Sequence, residues 1–204
     1  MLNLDACAQI IDAVLAAVET VLNQPDTKGW SSQAKCVNDF KYEIMTQGLQ
    51  MQGSRCVWCT LEVAEKGHRT AHRDHIAPKN RYAQWTFTPM NLVISCEYCN
   101  GFKVKGELDT VSVCAEQYAD SEFVIVHPYI DDTSIHIRFV DNEAGHPILI
   151  EGLSDRGTWT IETMSLDSTH MTKQRAKDFI FARETEALAE ADLDILKRAL
   201  NRRV

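Results

Sequence analysis

The chain has 204 residues, of which 45% are hydrophobic and 25% charged, and a formal net charge of −8. This is the balance of a folded globular protein. No apolar run approaches the ~20 residues that span a bilayer, and the acidic excess argues against a broadly basic nucleic-acid binder.

Residues 3–23 place Leu4, Ile11, Val14, Leu15, Val18, Val21 and Leu22 at three- and four-residue steps, which predicts an amphipathic helix. Acids come early there, without a basic lead or a small-residue cleavage site. The stretch is therefore not read as a signal peptide, and the expected compartment is the cytoplasm. Pro25 and Gly29 break the pattern. A second helix is predicted over 31–50, with Ser31 or Ser32 able to cap it. After the cysteine-containing region, "FVIVHPYIDD", "IHIRFV", "HPILIEG" and "GTWTIETMSL" read as short strands separated by turn residues. Residues 172–203 return to a helical pattern, with Lys197, Arg198, Arg202 and Arg203 at the end where the helix dipole favours cations. The expected class is α+β: an N-terminal helical region over 1–52, a metal-centred core over 53–108, and a C-terminal α+β region over 109–204 ending in a long helix.

Charge is unevenly spread. Between Lys66 and Gly106 seven Lys/Arg face two acids, a local +5 that leaves −13 on the remainder. The same window holds one of two cysteine pairs and begins seven residues after the other. Cys56-Val-Trp-Cys59 and Cys96-Glu-Tyr-Cys99 form two C-x-x-C pairs with 36 residues between them. In a reducing compartment such pairs point to metal before disulfides. Four thiolates converging from two tight turns suit a closed, structural zinc site. A redox pair or four unrelated buried cysteines are the alternatives. Cys7, Cys36 and Cys114 stand alone and are expected to be small buried hydrophobes.

The segment "DHIAP…NLVISCEYCNGFK" between and across the cysteine pairs resembles the HNH endonuclease family over about 56–106. The resemblance implies a ββα-metal fold bracketed by zinc knuckles and hydrolysis of phosphodiester bonds with one divalent cation. Asp74 would be a ligand of the catalytic metal and His75 the general base. Asn91 would brace the loop that presents His75. Asn100 stands where many members have a final His and would be the second metal ligand, giving an H-N-N variant that favours magnesium or manganese. The residue types suit that chemistry. A neutral imidazole can take a proton from water near neutral pH, and Asp and Asn oxygens are proper donors for magnesium.

The hairpin's second strand is expected at "NLVIS". The helix is expected at "EYCNGFKVK", placing Asn100 near an N-terminus that favours phosphate. Lys103, and less directly Lys79, Arg81 and Lys105, are expected phosphate contacts on nucleic acid, DNA in the first instance. His68 and His72 are expected in exposed loops. His127 is expected to cap a turn, with Asp131 and Asp132 as turn residues.

The C-terminal stretch also resembles HNH proteins of bacterial anti-phage systems, the Septu and retron-associated PtuB-like nucleases, which act beside an ATPase. That resemblance implies an ATPase protein partner, and the terminal amphipathic helices could serve a homo-oligomer. The alternative function is a zinc-stabilised nucleic-acid or protein adaptor that does not cut.

Overall fold

Residues 1–24, 29–66, 69–101, 103–140, 148–186, 188 and 190–200 are described by a computed structural model. Among these residues, five α-helices and three two-stranded antiparallel sheets make a mixed α+β architecture.

The first eleven residues are not helical. Helix α1 spans Asp12–Leu22, and the residues before it run extended across the core. The Leu2 amide donates to the Val57 carbonyl, the Leu4 amide donates to the Pro128 carbonyl, and Met1 and Leu4 are buried. The apolar spacing that suggested a longer helix here serves an inserted arm. Helix α2 spans Lys35–Met51, and Ala34 stands at its N-cap with no side-chain cap. The preceding Gly29–Ser31 forms a 3-10 turn, and Ser32 Oγ accepts from the Ala34 amide.

Strands β1 (Ala71–His75) and β2 (Leu92–Cys96) form the central hairpin, with Ala71 opposite Cys96 and His75 opposite Leu92. Helix α2 crosses this hairpin at Gly48, where an added Cβ would lie 2.6 Å from Ile94 Cγ1. Gln52, just past α2, then acts as a strand partner. Its Oε1 accepts from the Ile94 amide at 2.8 Å, and its Nε2 donates to the Ile94 carbonyl at 2.7 Å. The hairpin is thereby pinned to the helix by both packing and backbone pairing.

The expected helix over "EYCNGFKVK" is absent among the described residues. Successive turns take its place, with the Asn100 amide on the Cys96 carbonyl and the Val104 and Gly106 amides both on the Gly101 carbonyl. The knuckle fixes the first residues of this segment. Gly106, at φ +48°, adopts a conformation that closes the turn and that an L side chain rarely takes. No helix N-terminus therefore faces the site from this segment.

Strands β3 (Val111–Val113) and β4 (Glu122–Phe123) form a second small sheet, and β5 (Ile137–Val140) with β6 (Leu149–Gly152) a third. "FVIVHPYIDD" contributes only Phe123 to a strand. Ile125, Val126 and His127 are nonetheless fully buried, in irregular backbone. "GTWTIETMSL" is not a strand but the body of α3 (Asp155–Thr163), started by Ser154, whose side chain accepts from the Gly157 amide. Buried Gly157, Thr160, Ile161 and Met164 follow helical spacing. Thr-Trp-Thr-Ile imitates strand alternation only locally, and the cap decides against it. The predicted C-terminal helix is two, α4 (Thr169–Glu186) and α5 (Glu190–Leu200), and residues 201–203 lie outside those described.

One hydrophobic cluster joins residues from Met1 to Met171, including Leu4, Phe40, Trp58, Ile94, Ile125, Ile161 and Leu166. Among the described residues no helix is long and apolar enough to cross a membrane.

Candidate metal and nuclease site

Two turns bring the paired cysteines together. After α2, the chain reverses at Cys56–Cys59, closed by the Thr60 amide on the Cys56 carbonyl at 2.9 Å. At the end of β2, the Cys99 amide donates to Cys96 Sγ at 3.4 Å. All four residues are buried, and their Sγ atoms lie within 4.8 Å of one another, Cys59 and Cys96 being 3.9 Å apart. A tetrahedral zinc with Zn–S bonds of about 2.3 Å separates its sulfurs by about 3.8 Å, so the donor set fits zinc. Burial pushes the Cys56 thiol up, while hydrogen bonds from Cys56, Cys59 and Cys99 hold Cys96 far below the usual thiol range. Four buried sulfurs at this spacing are a donor set that a dication would complete by binding all four as thiolates.

The lone cysteines differ from expectation. Cys7 and Cys36 are half-buried and Cys114 is exposed.

Beside the knuckles, β1 and the 100–107 turns enclose a pocket of about 210 Å³, which Trp30, Asp74, His75, Lys79, Asn100 and Lys105 line. His75 is 7% exposed. Its Nε2 lies 3.0 Å from the Thr86 carbonyl oxygen. A carbonyl can only accept, so Nε2 carries the proton and Nδ1 keeps a free lone pair. The ring stands edge-to-face on Trp30 at 4.6 Å. Burial, with smaller contributions from Lys79 and Lys105, lowers the His75 pKa to about 3, against the Thr86 hydrogen bond that raises it. The ring is neutral at neutral pH.

Asp74 is 1% exposed, and both its oxygens are engaged. Oδ2 accepts from Trp58 Nε1 at 2.8 Å and Oδ1 from Lys105 Nζ at 2.8 Å. Lys105 also donates to the His75 carbonyl. Lys105 is therefore buried at the base of the pocket, and not the exposed phosphate contact that its sequence position implies. Asn100 is half-buried, with Nδ2 3.5 Å from His72 Nδ1. His72 lies within β1 and not in a loop; His68 and His146 lie outside the described residues.

Asn91 is fully buried and grips the loop after His75. Its Oδ1 accepts from the Ala77 amide at 2.7 Å, and its Nδ2 donates to the Ala77 and Trp85 carbonyls at 3.2 and 3.0 Å. The Tyr118 hydroxyl donates to the same Oδ1 at 3.0 Å and meets His127 Nε2 at 2.9 Å, while His127 Nδ1 accepts from the Tyr129 amide. The chain of donors and acceptors is complete, so it assigns the Asn91 amide orientation and the His127 tautomer uniquely. His127 thus holds a turn amide as expected, from a buried position.

Of the remaining predicted cations, Lys79 lines the pocket. Lys103 is exposed and Arg81 pairs with Asp109 at 3.2 Å; neither lines the pocket. Asp131 is more than a turn residue, since it pairs with Arg156 at 2.6 Å.

Sequence reasoning missed Trp30, Trp58, Gln52 and the Tyr118–His127 pair. The tryptophan in Cys-Val-Trp-Cys could have been asked for an acceptor, because a buried indole N–H needs one. The others carry no local signal.

No family model matches the chain. A curated relative, the Septu protein PtuB of Bacillus thuringiensis, is 25% identical over 119 residues, which are 58% of this chain and 39% of that protein. The matched part is thus well under half of the relative's length.

Proposed function

We propose that the pocket beside the cysteine cluster is the active site of a metal-dependent HNH-type endonuclease that hydrolyses phosphodiester bonds in DNA. One observation carries the reading. His75, neutral and locked in the tautomer that leaves Nδ1 bare, stands next to a buried carboxylate on the wall of one small polar pocket.

In this reading Asp74, once released by Lys105, and Asn100 would hold magnesium or manganese through their oxygens. The bound cation supplies charge neutralisation at the phosphate and the leaving oxygen. His75 takes the proton of the attacking water at Nδ1, and the Thr86 carbonyl steadies the imidazolium that forms at Nε2. Asn91 keeps Ala77, and with it the His75 loop, in place. Lys79 orients the phosphate, and Lys103 and Arg81 meet the flanking backbone. Zinc in the cysteine cluster holds the hairpin and takes no part in the reaction.

The resemblance to PtuB-like proteins, together with the similarity to a Septu protein, supports a proposed role in bacterial anti-phage defence beside an ATPase, in the cytoplasm. The charge split agrees with that role. An acidic body lowers free affinity for host DNA and leaves a partner to present the basic window.

The adaptor reading is favoured by one feature, the ion pair that already satisfies Asp74 through Lys105. Zinc-loaded protein incubated with plasmid and Mg²⁺ or Mn²⁺, alone and with any ATPase found encoded in the neighbouring genes, separates the two. Cutting that disappears in His75→Ala at unchanged zinc content supports the enzyme. Equal nicking by both proteins, or none under any of these conditions, supports the adaptor.

A further inference from the structure

We infer that Lys105 is an internal competitor for the cation site: its ammonium holds Asp74 in the resting protein, and a divalent cation binds there only by displacing it. The inference rests on the proposed role of Asp74 as a metal ligand and adds how that site is loaded.

The side chains of Lys105 and Asp74 are 2% and 1% exposed, and they meet at 2.8 Å. A buried ammonium persists only where a counter-charge and further acceptors meet it. Here the acceptors are Asp74 Oδ1 and the His75 carbonyl. The other Asp74 oxygen is committed to Trp58.

The other acid of the lining, Glu107, bonds Asn80. Among the described lining residues Asp74 is the buried carboxylate, and Glu107 is exposed to solvent that screens its charge. A dication on Asp74 would stand a few ångströms from the ammonium, where like charges in a poorly solvated pocket repel strongly. Both cations cannot hold Asp74 together.

The backbone permits the exchange. Lys105 sits in a run of turns and not within a helix or strand, next to Gly106 at φ +48°. Its side chain can leave Asp74 without breaking a ladder of backbone bonds. Once displaced it remains on the wall that Lys79 shares, where a phosphodiester would lie, so loading the cation also frees a phosphate-binding charge.

The test measures Mn²⁺ binding to zinc-loaded protein without nucleic acid, by calorimetry. Lys105→Met is expected to bind Mn²⁺ at least tenfold more tightly than the natural chain, and Asp74→Asn to abolish binding in both backgrounds. Equal or weaker binding by Lys105→Met overturns the inference. So does binding that survives Asp74→Asn, or the absence of Mn²⁺ binding in both proteins at millimolar concentration.

Because removing a buried charge can disturb folding, a second measurement uses the natural protein. Lysines are acetylated briefly and quantified by mass spectrometry, with and without saturating Mn²⁺. Lys105 is expected to be protected without Mn²⁺ and to gain at least fivefold in labelling with it, while exposed Lys103 stays constant. Unchanged Lys105 labelling overturns the inference. Neither measurement reads cleavage, so a chain that loads its cation in this way yet cuts nothing would overturn the nuclease reading alone.

Discussion

Replacing Asn91 tests whether the loop that carries His75 is held by one amide. The side chain is fully buried and makes four hydrogen bonds, to the Ala77 amide, the Ala77 and Trp85 carbonyls and the Tyr118 hydroxyl. Asn91→Ala leaves two donors, Ala77 N–H and Tyr118 O–H, without their acceptor. Each orphaned buried donor costs about 1–3 kcal/mol, and water admitted to the new space recovers part of that. The expected loss is about 3 kcal/mol, a large share of the ~5–15 kcal/mol that holds a domain folded. Asn91→Asp should be at least as damaging although it keeps the shape. It retains the acceptor but turns a carboxylate oxygen toward two carbonyl oxygens, in a site closed to solvent. Urea unfolding at saturating zinc, followed by tryptophan fluorescence, measures both changes. Exchange of the Ala77 amide with deuterium reports the local loosening. If Asn91→Ala unfolds within 1 kcal/mol of the natural chain and Asn91→Asp is the milder change, the bracing argument is wrong.

Stripping zinc with a strong chelator should melt the hairpin and lower the thermal midpoint by 10 °C or more, and restoring zinc should reverse the change. This follows because structural zinc contributes folding free energy directly; metal analysis beside calorimetry checks it. His127 is buried, and its folded pKa of about 3 lies below the ordinary ~6.5. The unfolded chain therefore binds the extra proton between those values, and the stability present above pH 6.5 drains away as pH falls toward 3. From pH 7 to 5 this site alone removes about 2 kcal/mol, and His127→Gln should flatten that limb of a urea-derived stability profile. Gly157→Ala places a Cβ 1.9 Å from the His136 carbonyl oxygen. Backbone must move to accept it, so the variant should lose about 2 kcal/mol or more in the same assay.

Where a residue type and a spacing jointly demand one geometry, the sequence was legible. The two C-x-x-C pairs converge as four buried sulfurs, and "NLVIS" is a strand paired with the Asp-His segment. The α+β class followed from alternating periodicities. Errors arose where two structures share a local pattern. Leu2 and Leu4 satisfy an inserted arm as well as a helix turn, and Thr158-Trp159-Thr160-Ile161 reads as a strand until Ser154 is recognised as a cap. "EYCNGFKVK" has helical composition, but the knuckle and Gly106 impose turns that composition does not record. Lys105 illustrates the deeper limit. A lysine two residues from Lys103 looks solvated, and its burial against Asp74 depends on a contact 31 positions away.

The hydrogen-bonded chain from Tyr129 through His127 and Tyr118 to Asn91 has a bearing on how such a protein can be divided. A fragment trimmed to the signature segment would keep the Asp-His pair but strip the clamp's outer half, since Tyr118, His127 and Tyr129 all lie downstream. The described residues after 109 are in that sense the buttress of the central hairpin. Swapping it between relatives would have to carry these three side chains along or re-evolve an equivalent anchor.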